Sequence, residues 1–147
     1  MFKNILVATD GSAFSNKAVA TAAQLAHSLH AKLLLLHVRS PLESPHHVEG
    51  GALSSLGGKV VMQEIEEEER KLLDAALEIA AADGVKAETA FVAGYSTHDA
   101  IIRIAREQGC DLIVMASHGR RGISSLLLGS ETQKVLTHTT VPVLIVR

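Results

Sequence analysis

A glycine-rich stretch late in the chain, residues 116–130, carries the residue types that hold phosphate groups. Gly119, Gly122 and Gly129 lack a Cβ atom, so their backbone N–H groups can approach an anion closely. Ser130 stands at the predicted start of a helix, where its hydroxyl and the positive end of the helix dipole both favour an anion. The stretch predicts a phosphate-binding loop, although glycines that only permit tight turns give a similar pattern.

Asp10 is a second candidate, because it follows the first apolar run of the chain, residues 5–8, and opens a turn. Its carboxylate can contact a ligand or cap the helix that begins after Ser12, and both interpretations stay open. Arg120 and Arg121 can offset phosphate charge, but solvent-exposed arginines of a loop give the same sequence.

Other patterns of catalysis or cofactor binding are incomplete. Gly57-Gly58-Lys59 lacks the earlier glycine and the following Ser or Thr of a P-loop. No G-x-G-x-x-G fingerprint follows a strand, and no G-x-S-x-G elbow frames a serine nucleophile. His46 and His47 have no clear third metal ligand nearby. These patterns therefore favour neither a P-loop enzyme, a dinucleotide site, a serine hydrolase nor a metal centre.

Composition excludes several classes of partner. The 147 residues fit one domain, 1–147, and carry 14 basic against 16 acidic side chains with no basic run, which argues against nucleic acid and anionic membranes. Aromatic residues make up 3%, so the core must be aliphatic. The single cysteine, Cys110, suits a reducing cytoplasm. Early charges and the lack of about 18 consecutive apolar residues indicate neither a signal peptide nor a membrane span.

Apolar runs alternate with segments of helical period along the whole chain, in the order β-α-β-α-β-α-β-α-β. The predicted strands are residues 5–8, 33–38, 86–92, 112–116 and 141–146. Runs that are apolar at nearly every position are typical of parallel strands covered on both faces. With right-handed crossovers they predict an α/β fold with an open, doubly wound parallel sheet. Ligands bind at the carboxyl ends of such strands, here Asp10, Val38, Gly94 and the loop 116–130.

The helices between these strands have predicted faces and ends. The first, capped by Ser12, should bury Phe14, Ala18, Ala22, Leu25 and Leu29. The second, from about residue 60 to 82, should bury Val61, Ile65, Leu72, Ala76 and Ile79 and turn the run 66–69 to water. A capping box at 96–99 opens the third, Gly109 stops it, and the fourth spans about 131–138. Residues 39–58, rich in Pro and Gly, are expected to form a long, mobile loop.

The sequence resembles the universal stress protein (UspA-like) family over the whole length of the chain. Four segments carry the resemblance, in the order residues 4–12, 36–38, 110–119 and 141–146. The spacing of Gly119, nine residues and then Gly129-Ser130 resembles its ATP-binding branch, with Ala116 where the first glycine is expected. An alanine there keeps the contact only if its backbone torsion φ is not positive. The resemblance implies a Rossmann-like, adenine nucleotide α-hydrolase-like fold with five parallel strands in the order 3-2-1-4-5.

The resemblance also implies a ligand, ATP with Mg²⁺ held mainly through the phosphates. Gly119, Gly129 and Ser130 would bind the phosphates, Ala116 would face the ribose, and Asp10 would lie by the adenosine. The backbone of Val38 would meet the adenine edge. The full predicted set is Thr9, Asp10, Val38, Ala116, His118, Gly119, Arg120, Gly129, Ser130 and Glu131.

Partners and alternatives follow from the same resemblance. It implies a homodimer in which the last strands, 141–146, pair with each other, and an unpaired apolar edge strand argues for the same pairing. A nucleotide-free dimer is the first alternative, favoured by Ala116. An enzyme of a related fold, an adenylyltransferase or PP-loop ligase, is the second, but their signatures near the first strand do not occur. No general base is evident in the sequence, so ATP hydrolysis should be slow at most.

Overall fold

The computed structural model describes residues 1–40, 55–120 and 127–147, and for residues 55–62 it describes the backbone alone. Five strands alternate with four helices along these residues. They are β1 (Asn4–Ala8), α1 (Ala13–Leu29), β2 (Lys32–Arg39), α2 (Ser55–Ala82), β3 (Glu88–Ala93), α3 (Thr97–Glu107), β4 (Leu112–Ala116), α4 (Ser130–His138) and β5 (Val143–Val146). The alternation confirms the predicted α/β organisation.

The strands form a parallel sheet in the order β3-β2-β1-β4-β5, which confirms the predicted topology. The central strand β1 lies between β2 and β4, so that Val7 is opposite Leu35 on one side and Val114 on the other. The chain leaves β1 and β4 toward opposite faces of the sheet. A crevice therefore opens at the carboxyl ends of these two strands, where doubly wound sheets bind ligands.

Helices cover both faces of the sheet, as the continuous apolar runs predict. Ile5 and Val7 of β1 face α1 and α2, and Leu6 between them faces α3 and α4. All three side chains have no exposed surface. Because every β1 side chain from 5 to 7 is buried, the strand end that carries Asp10 is held rigidly.

The buried face of α1 differs from the predicted one. Ser12 is the N-cap as expected, and its hydroxyl accepts the N–H of Ser15 at 3.2 Å. Phe14 is 44% exposed, so its predicted burial is wrong. Ala18 and Ala22 are buried as predicted, and the rest of the buried face consists of Ser15, Val19, Ala23 and Ala26. Small residues let the helix backbone approach the sheet closely, and this turns Phe14 toward the end of the sheet.

The predicted loop 39–58 is too long at both ends. Arg39 belongs to β2, and α2 begins at Ser55, so Gly57 and Gly58 are helical. Residues 41–54, including His46 and His47, lie outside the described residues. Along α2, Ala76 is buried as predicted together with Leu73 and Ala80, and Leu72, Ile79 and Ile65 are partly buried. The side chain of Val61 lies outside the described part.

The start of α3 is capped from another helix. Ser96 makes no side-chain cap hydrogen bond, and its hydroxyl lies 3.2 Å from His98 Nδ1, so the predicted capping box is wrong. The N–H of His98 donates instead to Glu131 Oε2 of α4 at 2.9 Å. Gly109, with φ +65°, follows the helix and confirms the predicted stop.

The strand ends also differ slightly from the predicted bounds. β5 begins at Val143, because Pro142 has no N–H to continue the ladder. Burial and the nearby charge of Asp111 raise the pKa of Cys110 to about 11, which makes the thiol unreactive and agrees with a packing role. None of the helices in the described ranges has the length and apolar composition needed to cross a membrane.

Candidate functional site

Thr9, at the carboxyl end of β1, is held through all of its polar groups. Its N–H donates to the carbonyl of Leu36 at 2.9 Å, and its hydroxyl lies 3.1 Å from the hydroxyl of Ser15. Its carbonyl accepts a hydrogen bond from His37 Nδ1 at 2.7 Å. Thr9 is 4% exposed. Its side chain therefore faces the interior, and its contribution to the predicted site is to hold Asp10 in place.

Asp10 joins the turn after β1 to the loop after β4. Its Oδ1 accepts the N–H of Ser12 at 2.9 Å, and its Oδ2 accepts the N–H of Arg120 at 2.9 Å. Arg120 Nε in turn donates to the carbonyl of Asp10 at 2.8 Å. Burial raises the pKa of Asp10, but the hydrogen bonds from Ser12, Ser15 and Arg120 outweigh it and hold the pKa below its ordinary value. Asp10 is therefore ionised at neutral pH.

The arginine that Asp10 holds is exposed, and its side chain folds back over the Asp10 turn. Because Arg120 Nε is bonded to the Asp10 carbonyl, its guanidinium ties two loops together as well as bringing positive charge to the crevice. Arg121 and Gly122 lie outside the described residues.

The end of β4 and the start of α4 are packed against each other. Thr132 Oγ1 donates to the carbonyl of Ala116 at 3.0 Å, and the N–H of Gly129 donates to the carbonyl of Ser117 at 2.7 Å. Gly129 is the N-cap of α4 and has no side-chain oxygen to accept the first-turn N–H groups. Such groups have no partner within their own helix, so those at Ser130 and Glu131 are suited to an anion.

The two glycines that frame this site provide space rather than an unusual backbone torsion. A Cβ on Gly119 would lie 3.0 Å from Asp10 Oδ2, and one on Gly129 would lie 3.2 Å from the Ser117 carbonyl oxygen. The glycines with positive φ among the described residues are elsewhere, at Gly11, Gly84 and Gly109. Glycine at 119 and 129 thus allows the loops to approach each other, and at 129 the close approach includes the hydrogen bond from the Gly129 N–H to the Ser117 carbonyl.

Ala116 has a backbone torsion φ that an alanine can adopt, which is the condition for an alanine at this position. It lies at the end of β4, opposite Val146, and its φ is not positive, since His30 is the only described non-glycine residue with a positive φ. An alanine therefore fits the backbone at the position where the resemblance expects a glycine.

His118 is a buried side chain with one free nitrogen. Its Nδ1 lies 3.0 Å from the Ser117 hydroxyl, and its ring is 5.8 Å from the ring of Phe14, centroid to centroid. Its Nε2 is buried and has no hydrogen-bond partner in the part of the chain that the structure describes. Since buried polar atoms are nearly always paired, this nitrogen is a group that a ligand or water can satisfy.

Val38 and Glu131 have different relations to this crevice. Val38 is 8% exposed at the carboxyl end of β2, beside the end of β1, as the predicted adenine contact requires. The carboxylate of Glu131 is used between helices, because it accepts the N–H of His98 and a hydrogen bond from Lys134 Nζ at 3.0 Å. Burial raises the pKa of Glu131, but the contacts with Lys134 and His98 outweigh burial and hold the pKa below its ordinary value. Because the carboxylate is used in these contacts, the backbone N–H is the part of Glu131 that remains for the predicted ligand contact.

Sequence reasoning missed a close, largely buried contact between a histidine and a carboxylate behind the site. His37 Nε2 lies 2.6 Å from Glu69 Oε2, and the side chain of Glu69 is 13% exposed against 55% for Glu67. The prediction that the whole run 66–69 faces water is therefore wrong at Glu69. Helical phase is the signal that could have found it, because Glu69 lies four and seven residues before the buried Leu73 and Ala76.

Comparison with known proteins places the chain in a family. The whole chain, residues 1–147, matches the family model described as Usp, universal stress protein family. The chain belongs to the universal stress protein family. It is 40% identical over 157 aligned positions to the universal stress protein YxiE of Bacillus subtilis (strain 168), with 100% of both chains covered.

Two solved structures resemble this universal stress protein closely in fold. One is the hypothetical protein MJ0577, of Methanocaldococcus jannaschii, with a TM-score of 0.79, 28% identity and 99% and 96% of the two chains covered. The other is a universal stress protein in complex with cAMP, with a TM-score of 0.72, 28% identity and 99% and 97% covered. Both likenesses extend over nearly the whole domain.

Within this universal stress protein, most of the predicted residues lie in or beside two adjoining groups. Asp10, Gly119 and Arg120 form one contact cluster, and Gly129 and Ser130 lie at the adjoining helix start. Ala116 and His118 line the segment between the two groups, whereas Thr9 supports the cluster from behind. In the described ranges no group of three or more His, Cys, Asp or Glu side chains is arranged to hold a metal ion.

Proposed function

We propose that this universal stress protein binds an adenine nucleotide, ATP with Mg²⁺, at the carboxyl ends of β1 and β4. The observation that carries the proposal is the start of α4, whose first-turn N–H groups have no side-chain cap and stand beside His118 with its unpaired, buried Nε2. The N–H groups and the His118 nitrogen provide polar partners and space for an anion. They are needed because the net charge of −2 gives the protein no general attraction for anions.

The roles proposed for the residues follow from their positions. The N–H groups at Ser130 and Glu131, with the Ser130 hydroxyl, would hold phosphate oxygens, since a helix N-terminus carries about half a positive charge. Gly129, whose own N–H donates to the Ser117 carbonyl, would leave room for them. Gly119 leaves its own N–H uncovered beside Asp10. Mg²⁺ would supply charge neutralisation while bound mainly to phosphate and water. Val38 and Ala116 would contact the adenine and the ribose through backbone atoms.

A family relative supports the class of ligand. The universal stress protein in complex with cAMP is 28% identical and shares this fold over 99% of the chain. Because cAMP contains the same adenosine as ATP, that complex supports an adenine nucleotide. The choice of a triphosphate rests on the spacing of Gly119 and Gly129-Ser130, which resembles the ATP-binding branch of the family.

Calorimetry tests the proposed ligand. We expect ATP with Mg²⁺ to bind with one site per chain and at least about tenfold more tightly than GTP, a difference of about 1.4 kcal/mol. Nucleotide extracted from the purified protein should be adenine nucleotide. Absence of binding to ATP, ADP, AMP and cAMP would contradict the proposal and favour the nucleotide-free interaction dimer, for which Ala116 is the supporting observation. Turnover of ATP above about 1 per second would favour an enzyme instead.

We also propose that the protein acts as a homodimer in the cytoplasm, as one domain that signals through its nucleotide-bound state. The strand β5 lies at the edge of the sheet, and Leu144 on it is 36% exposed. An apolar edge strand is stabilised when it pairs with a second copy. Light scattering at micromolar concentration should give twice the 15.6 kDa of one chain. A Leu144→Lys variant should dissociate, and a wild-type monomer would contradict the dimer.

A further inference from the structure

We propose that His37 is a positioning residue for the nucleotide site, which orients Asp10 through the Thr9 carbonyl and is itself held by Glu69 of α2. This inference rests on the proposed nucleotide function. His37 touches none of the predicted phosphate-binding groups directly, so it acts through the end of β1.

The first contact links the imidazole to the peptide that leads into Asp10. His37 Nδ1 lies 2.7 Å from the carbonyl oxygen of Thr9. A carbonyl only accepts, so Nδ1 carries the hydrogen and donates. The Thr9 carbonyl and the Asp10 N–H belong to one planar peptide unit. Orienting the carbonyl therefore also orients the backbone from which the Asp10 carboxylate extends.

The second contact holds the other ring nitrogen. His37 Nε2 lies 2.6 Å from Glu69 Oε2, with the two side chains 8% and 13% exposed. The oxygen is not aligned as the acceptor of a regular hydrogen bond, so the two groups form a close polar contact. Because both side chains are largely buried, this contact holds the ring against α2.

The ring face is supported as well. The His37 imidazole stacks on Phe91 of β3, with the centroids 6.1 Å apart and the planes 21° apart. The guanidinium of Arg39 lies over the Phe91 ring, 5.5 Å from its centroid. Contacts at both nitrogens and on one face leave the imidazole a single orientation, which a residue that only filled space would not require.

These contacts form a continuous path from a helix to the glycine-rich loop. Glu69 contacts His37, which contacts Thr9, and Thr9 is bonded to Asp10 through the chain. Asp10 Oδ2 then accepts the N–H of Arg120, next to Gly119. Loss of the His37 donor should therefore loosen the Asp10 contact with Arg120 and weaken nucleotide binding.

Two isosteric variants separate the two ring nitrogens. His37→Asn keeps an N–H donor at the position of Nδ1 but is too short to reach Glu69. His37→Gln places its N–H near the position of Nε2 and leaves the Thr9 carbonyl without its donor. A buried carbonyl that loses its donor is costly, so we expect ATP to bind to His37→Gln about tenfold more weakly than to the wild type. His37→Asn should stay within about threefold of the wild type.

Amide hydrogen exchange gives a readout that needs no nucleotide. The N–H of Arg120 should exchange faster in His37→Gln than in His37→Asn, because Asp10 Oδ2 protects it. Glu69→Gln provides a third variant. Glu69 lies beside an open cavity of about 210 Å³, and the variant should fold. It should weaken ATP binding less than His37→Gln does.

The outcomes distinguish the two proposals. A wild-type protein that binds no adenine nucleotide refutes the proposed function. A wild type that binds, with His37→Asn and His37→Gln equal to each other in affinity and in Arg120 exchange, refutes the positioning role alone. Equal losses of thermal stability with unchanged affinity would likewise reduce His37 to a structural residue.

Discussion

Gly129→Val lowers the affinity for ATP at least about tenfold, whereas Gly129→Ala has a smaller effect. A first methyl would already lie 3.2 Å from the Ser117 carbonyl oxygen and 3.5 Å from His118 Cα, and a branched side chain cannot be placed there without moving α4 away from β4. Overpacking of this kind costs about 1–3 kcal/mol. It displaces the same N–H groups that we propose bind the phosphates. Calorimetry with ATP and Mg²⁺ measures the loss.

The matched control for this substitution is Gly109→Ala. Gly109 has φ +65°, and a Cβ added to it would meet no other group within 4 Å, so an alanine there is strained by its backbone alone, at about 1–2 kcal/mol. It follows α3 at the opposite end of β4. Gly109→Ala should therefore lower the free energy of unfolding and leave the affinity for ATP unchanged. If Gly129→Val binds ATP like the wild type, the nucleotide lies elsewhere.

Asp10→Asn is the second substitution expected to weaken binding. An asparagine places an NH2 donor where one of the two carboxylate oxygens now accepts, so the N–H of either Ser12 or Arg120 faces a donor and one of the two bonds is lost. Loss of a charge-assisted hydrogen bond of this kind costs about 1–2 kcal/mol of stability. Because Arg120 then loosens beside Gly119, the affinity for ATP should fall about tenfold.

Asp111→Asn is a matched control, because Asp111 has the same arrangement at the other end of the sheet. Its two oxygens accept the N–H groups of Lys3 at 2.8 Å and Asn4 at 3.0 Å. This variant should lose stability but bind ATP normally. Equal affinities of the Asp10→Asn and Asp111→Asn proteins would contradict a role for Asp10 in the site.

Acid should erase the difference in stability between the wild type and Asp10→Asn. The pKa of Asp10 is lower in the folded protein than the ordinary carboxyl value, so its contribution is fully present above about pH 4 and is lost as the pH falls through the folded value. Urea unfolding at pH 7 and pH 3 measures this. A difference that grows toward low pH would show that the carboxylate is not what stabilises the turn.

Local pattern was sufficient to predict the strands and the helix start at Ser130, because each depends on a run of neighbouring residues. The order of the strands in the sheet was predicted from the family resemblance instead. Local pattern failed where a partner from elsewhere in the chain decides the outcome. The cap of α3 is Glu131, 33 positions from His98. Asp10 and Arg120, which form the centre of the candidate site, are 110 positions apart.

Side-chain size explains a further difference. The buried face of α1 is formed by Ser15, Val19 and four alanines, which apolar periodicity ranks below Phe14 and Leu25. Close approach of the helix to the sheet selects the small residues, and this selection depends on the distance between two elements. The backbone torsion φ at Ala116 likewise depends on the geometry of the strand end. The residue type raises the question whether this φ is positive, but only the structure answers it.

The long sequence separation of the Asp10 contact with Arg120 has a consequence for biosynthesis. Ribosomes produce the amino-terminal half first, so Asp10 has left the exit tunnel long before Arg120, α4 and β5 follow it. A growing chain thus has strands and helices but no candidate nucleotide site. Contacts between distant parts of a chain also close late in folding. If the proposed function holds, nucleotide binding reports a completed chain, and truncated products cannot compete for the ligand.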